Sequence, residues 1–363
     1  MEETSEATTY VAPTGDLRLL VTHPKKGEAD GTPSKDVTKT LVVSSTVMCL
    51  ASPVWKAMFD PQGHFKEATW STSAANREVA FPDDDPGALL VLLNISHLNF
   101  DQLPTTMEFD TLLNIAVLCD KYDMVKVIRP WIPKWAEPLR SHALERGHEE
   151  YAFIAWTFGD QVAFDVVIRR MVMKSLSSAS GELLNGVGKP YGKVMPPGLL
   201  GELVKSLRGV GQRSWIHADT HEDSILGARE ERLAKLLDLC YNLADEYASL
   251  GLPSSPPRFL CRAQKDREEC DTYVLGSMIR GLRSLALLPS PIKVSSMNHY
   301  SVATFTGKLL AFECGFYASD SKNHYDCKYT IHFHKKVKIR NATTKPSGLL
   351  DSHRQHIEEQ AKK

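Results

Sequence analysis

Cysteine and histidine crowd the last part of the chain, at Cys261, Cys270, Cys314, His324, Cys327, His332 and His334. Thiolate sulfur and imidazole nitrogen are the donors that a tetrahedral zinc site takes. His324-x-x-Cys327 has the close spacing of two ligands on one turn, and Cys261 with Cys270 can supply the other pair. Such a closed site would give a small domain with a thin core much of its folding energy. Against it, Cys261 and Cys270 do not form the close Cys-x-x-Cys knuckle, and His332 and His334 would leave a strand on one side without an evident partner. Ordinary thiols and polar histidines therefore outweigh a structural zinc, and no other cofactor is implied.

Other chemistry finds less support. Gly186-Val187-Gly188-Lys189-Pro190 imitates a phosphate loop, yet Leu183 stands where that loop needs its first glycine. Pro190 stands where it needs the magnesium-binding hydroxyl. Nucleophilic catalysis needs Ser or Cys joined to His and a carboxylate. With 13 His and 7 Cys, chance groupings are expected and no local signature ranks them, so the chain reads as a non-enzyme. Asp83-Asp84-Asp85 before Pro86 reads as a turn and an acidic helix start rather than a metal site, because negative charge suits that end of the helix dipole. The basic run His334–Arg340 reads as the solvated side of an amphipathic element, since aromatic platforms or a recognition helix do not accompany it. Trp131, Trp135, Trp156 and Phe158 fall at helical spacing among apolar neighbours, which reads as core before partner groove.

A chain of 363 residues with 42% hydrophobic and 24% charged residues is globular and long enough for two or three domains. Forty-three basic against 44 acidic residues leave a net charge of -1, so no global field draws it to nucleic acid or anionic lipid. MEETSEATTYVAPTGD is acidic and polar and reads as neither secretory signal nor transit peptide. No apolar run approaches the roughly 20 residues that span a bilayer. Seven cysteines without a framework pattern suit a reducing compartment, cytoplasmic or nuclear.

The elements follow from pattern. Residues 1–13 read as a disordered lead. Leu17–Val21 and Thr40–Val43 read as a hairpin around the polar loop 23–38, and Glu78–Phe81 as a third strand. Ser52 precedes Pro53 as an N-cap precedes a first-turn proline, and Asp85-Pro86 repeats that arrangement before the apolar helix 87–94. Helices are expected over 108–123, in short pieces over 125–135, and over 149–158 and 161–176. Residues 177–198 read as a loop, 199–207 as a short helix and 209–223 as flexible. Helices follow over 225–250, 272–287 and 349–360, while 328–339 fits strand and helix alike.

The stretch Leu41–Phe59 carries a family resemblance. Its strand, helix and Ser52-Pro53-Val54-Trp55-x-x-Met58-Phe59 resemble the BTB/POZ motif, with Phe65-x-Glu67 after it. Pro82–Pro86, Leu112–Asp123 and Trp131-x-x-x-Trp135 are similar to the BTB proteins abundant in filamentous fungi, as is Ala155–Phe164 just beyond. The resemblance covers residues 14–138. It implies an α+β fold, a small sheet flanked by helices, followed here by a mainly α-helical region over 139–253 and another, bearing the Cys/His cluster, over 258–363.

The function this implies is a protein–protein interaction adaptor or scaffold. Family members recruit cullin-type ubiquitin ligases, join transcriptional complexes, or dimerise. Homodimerising members carry a helix and strand ahead of the hairpin, where this chain shows only about fourteen unpatterned residues, and the oligomeric state stays open. The other reading is a zinc-stabilised, nucleic-acid-associated regulator using Cys261, Cys270, His324, Cys327 and the basic run.

Overall fold

The computed structural model describes residues 8–24, 36–60, 77–200, 224–250, 259–312, 324, 336–343 and 351–363. The fold is mixed α+β, with a four-stranded sheet near the N-terminus and mostly helix beyond it. Strands β1 (Thr8–Tyr10), β2 (Leu17–Pro24), β3 (Asp36–Val43) and β4 (Arg77–Phe81) lie in the order β1-β3-β2-β4. The hairpin β2–β3 is antiparallel and registers Leu17 against Val43, while β1 on β3 and β4 on β2 are parallel. Along β2, Leu17, Leu19 and Val21 are buried and alternate with half-buried Arg18 and Leu20, the period of a sheet with one covered face. In β3, Thr40 to Val43 are all buried, because β1 and β2 flank that strand.

β1 corrects one expectation. Residues 8–10 belong to the sheet rather than to a disordered lead, and Val11 behind them is buried. Gly15 lets the chain turn between β1 and β2, because a Cβ there would meet the Val43 carbonyl oxygen at 2.5 Å. Residues 1–7 lie outside the described residues, as do 61–76 with Phe65 and Glu67.

Helix α3 (Pro86–Ser96) packs on strands β2 and β3, α1 (Ser45–Ala51) and α4 (Phe109–Tyr122) pack on α3, and α2 (Pro53–Met58) packs on α1 and α4. The short α5 (Val125–Ile128) and α6 (Ile132–Ala136) follow, then a 3-10 run, Glu137–Leu144. Helix α7 (Tyr151–Phe158) is buried on every side, so all eight of its residues are core. Gly159, with φ 80°, and Asp160, which caps Ala163, join α7 to α8 (Gln161–Lys174). The core that starts at Val11 therefore runs on past residue 138 to Ala228 and takes in Ile357 of the terminal helix.

Beyond α8, the two-residue strand β5 (Leu176–Ser177) begins where the helix was expected to run on to 176, and β6 (Leu183–Leu184) sits within the stretch read as loop. Helix α9 (Ile225–Ala248) spans two cores: Ile225, Leu226 and Ala228 close the first, while Leu233, Leu236, Leu237 and Cys240 open a second. The second core is completed by α10 (Arg267–Ser284), α11 (Val302–Ala311) and Ile339 of α12 (336–343). Helix α13 (Asp351–Ala361) returns to pack on α7 and α8. The helix expected over 199–207 lies largely outside the described residues, as do 209–223 and the first part of the undecided stretch 328–339. Among the described residues no helix is long and apolar enough to cross a membrane.

Candidate interaction surface and a buried cysteine-histidine cluster

Ser52 holds the α1–α2 joint in two ways. Its Oγ accepts the Trp55 N–H at 3.0 Å, capping α2, and donates to the Tyr122 carbonyl at 2.6 Å, tying the joint to the end of α4. Pro53 takes the first helical position, where no N–H is needed. Trp55 is fully buried with its ring 5.0 Å from that of Tyr122, and Val54, Met58 and Phe59 are partly buried against the same core. The motif residues are thus structural.

The acidic triplet divides its work. Asp85 caps α3 by accepting the Ala88 N–H at 2.8 Å, as the turn chemistry predicts. Asp84 does something the sequence reading missed. Its buried carboxylate accepts the Tyr122 hydroxyl at 2.5 Å and the Lys121 ammonium at 2.6 Å. Burial, then the neighbouring Asp84 charge, pushes the Tyr122 phenol well above its ordinary range, so it stays a proton donor.

On this part of the chain several large apolar side chains are exposed. After α3 the chain turns through Leu98, which adopts φ 64° and is 73% exposed. Helices end in that left-handed conformation through glycine, because a side chain there costs about 1–2 kcal/mol. Asn99 pins the turn by donating from Nδ2 to the Val11 carbonyl at 2.8 Å, which brings it beside Tyr10, itself 64% exposed. The Phe100 ring lies 5.2 Å from that of Trp131, tilted by 42°, while remaining half in solvent. Tyr10, Leu98 and Phe100 carry no polar motif, so only their joint exposure in the fold reveals them.

The second site is a buried cluster. Cys261, Cys270 and His324 each offer a donor atom, and these atoms lie within 4.8 Å of one another. Cys261 Sγ and His324 Nδ1 are 3.6 Å apart. All three side chains are almost wholly buried. Cys270 sits in the first turn of α10, and its neighbour Asp271 accepts the N–H groups of Leu260 and Cys261 at 3.0 and 2.9 Å. That carboxylate ties the backbone at Cys261 to the first turns of α10. The structure therefore assembles three of the four expected donors, while Cys327 lies outside the described residues, together with Cys314, His332 and His334.

A second group, His142, Glu145 and His148, escaped the sequence reading although its spacing is regular. Glu145 lies 3.0 Å from His142 Nδ1 and 3.6 Å from His148 Nδ1, and both imidazoles pack on Phe109. These side chains are partly exposed, and they tie the 3-10 run to α4. Nearby, a groove of about 430 Å³ is lined by α6 and α7 and walled by the Arg140–Asp160 ion pair at 2.8 Å.

The phosphate-loop imitation folds as a tight turn. Asn185 Oδ1 accepts the N–H groups of Val187 and Lys189 at 3.1 and 3.0 Å, so two amides that would cradle a phosphate are already engaged. Trp135, Trp156 and Phe158 are buried in the core as expected, while Trp131 is only partly buried against it. No family model and no curated protein matches the chain.

Proposed function

We propose that the chain is a non-enzymatic protein–protein interaction adaptor whose docking module is its N-terminal, BTB/POZ-like part. The observation that carries this reading is Leu98, an exposed leucine in a backbone conformation that glycine adopts at lower cost. An apolar side chain kept in solvent at a strained position gains nothing for folding, and contact with a partner gives it a use. The Ser52-Pro53 joint, the hairpin β2–β3 and the capped α3 support the resemblance to that family. Its implied partners are cullin-type ubiquitin ligase subunits or transcriptional regulators in the cytoplasm or nucleus.

The test separates binding from folding. Leu98→Gly in the full-length chain removes the side chain and relieves the backbone, so thermal stability stays level or rises. Affinity purification from the native cell should recover cullin or transcriptional-complex subunits with the wild-type chain and lose them with this variant and with Phe100→Ala. An identical partner list for all three proteins would overturn the reading.

The nucleic-acid reading draws less support. On α12, Ile339 is buried while Lys336 and Lys338 face solvent, which is the ordinary layout of an amphipathic helix. Phosphate contacts release counterions, so DNA or RNA affinity that falls steeply with salt would favour it instead.

A further inference from the structure

We propose that Cys261, Cys270 and His324 bind a structural zinc ion, a site that goes beyond the adaptor reading and does not depend on it. Tetrahedral zinc with Zn–S near 2.3 Å and Zn–N near 2.0–2.1 Å sets sulfur and nitrogen about 3.6 Å apart. Cys261 Sγ and His324 Nδ1 stand at 3.6 Å. Cys270 Sγ completes a triangle with no edge longer than 4.8 Å, small enough to close on one ion. The fourth tetrahedral position remains for a further donor.

Cys261 and Cys270 are not joined in a disulfide, although their sulfurs lie within 4.8 Å of each other. Two sulfurs and an imidazole are the donor set that selects zinc over magnesium or calcium, which take oxygen. On binding, each thiol gives its proton to the buffer, so two protons leave as one zinc ion and two zinc–sulfur bonds form, with no change of oxidation state.

Among the described residues Cys261 and Cys270 share a small cluster with Ala263. Cys261 and His324 are 63 residues apart in sequence. An ion that joins them closes a long loop, and closing it removes freedom from the unfolded chain.

The competing arrangement is a sulfur–imidazole hydrogen bond with no metal. Three measurements on the full-length chain, purified without a histidine tag, tell the two apart. Elemental analysis should find about one zinc per chain, against less than about 0.1 if the cluster is only hydrogen-bonded. The double variant Cys261→Ser, Cys270→Ser should lose that zinc, and Cys49→Ser should keep it. Cobalt(II) exchanged into the wild-type chain should give the thiolate charge-transfer band and strong ligand-field bands of a tetrahedral sulfur site.

The third measurement needs no variant to fold. Alkylation read by mass spectrometry should spare Cys261 and Cys270 until a chelator is added, and then label both. Zinc below about 0.1 per chain together with a silent cobalt spectrum would overturn the proposal. So would zinc retained by the double variant, or alkylation that the chelator does not change.

Discussion

Trp156 carries the imidazole of His356 flat against its indole, with centroids 3.8 Å and planes 9° apart. Burial, and then the charge of Lys363, hold that imidazole down at about 4, while Glu359 pulls weakly the other way and His353 adds to the depression. Gln360 Nε2 lies 3.2 Å from His356 Nε2 and occupies its polar edge. A histidine that stays neutral when folded but titrates near 6.5 when unfolded makes stability depend on pH. Its contribution is full above about 6.5 and is lost as pH falls toward 4, because the unfolded chain takes up the proton that the native ring refuses. Asp120 works in the opposite sense. Burial pushes its carboxyl up to about 6, so the native state gains from that group as pH falls from there. The bare pH profile mixes the two, and the comparison with His356→Phe isolates the imidazole while keeping a ring on Trp156. Urea unfolding of both proteins should show the wild-type chain losing ground to the variant steadily between pH 6.5 and 4. A stability difference that stays constant across that range would refute the assignment.

At the scale of elements, the seat of α13 rests on one glycine. Gly159 has φ 80°, and a Cβ there would meet the backbone nitrogen of Ala361 at 2.6 Å. Arg129 closes the same seat by donating to the carbonyls of Phe158 and Gln360. Gly159→Ala is therefore strained twice, by conformation and by the approach of α13. The conformational term alone is about 1–2 kcal/mol. Amide exchange across 351–361 should accelerate about tenfold or more while the β2–β3 hairpin keeps its protection. Equal acceleration everywhere would mean that α13 does not open by itself. The Gly159-Asp160 joint was legible in the sequence, as were Ser52-Pro53 and Asp85-Pro86, because caps and turns are decided within about four residues. What was not legible is long-range. Thr8–Tyr10 shows no alternation, and its parallel partner Thr40–Val42 lies across two intervening segments, so β1 read as lead. Asp84 meets Tyr122 over a separation of 38 residues, which turns one member of an acidic triplet from a turn residue into a buried anchor. The cysteine–histidine cluster was half legible. Its donor types were evident, but only the fold brings Cys261 and Cys270 to His324. Leu98 offered no signal, since its exposure and its backbone angle exist only once α3 and β1 are in position.

The two larger apolar cores among the described residues meet along α9, and Arg229 is the side chain at the joint. It is 1% exposed, and no carboxylate is among the acceptors of its guanidinium. Its Nε donates to the Ser175 carbonyl at 3.1 Å, at the end of α8. Its Nη2 donates to the carbonyls of Met297 and Tyr300 at 3.0 and 2.8 Å, just before α11 begins. Ser177 reinforces the seam, with its N–H 3.2 Å from the Asn298 carbonyl and its hydroxyl 3.1 Å from the Asn298 side chain. Burial lowers the Arg229 pKa and the Glu230 charge works against that; guanidinium keeps its charge in proteins, and here its hydrogen bonds go to carbonyl dipoles. Two acceptors on one nitrogen and a third on another require the planar fork of guanidinium. Lysine offers one nitrogen and cannot reach both sides of the seam. Arg229→Met keeps the apolar stem but leaves three buried carbonyls without their donor, a loss of about 3 kcal/mol or more. Arg229→Lys should recover little of it. Because the charge sits between the cores and not inside either, its loss should uncouple them. Denaturation of Arg229→Met followed by circular dichroism should separate into two transitions, with the α9–α11 part melting first, since that core is the smaller. A single transition at the wild-type midpoint, or full rescue by lysine, would show that the cores are held by packing and that the fork is dispensable.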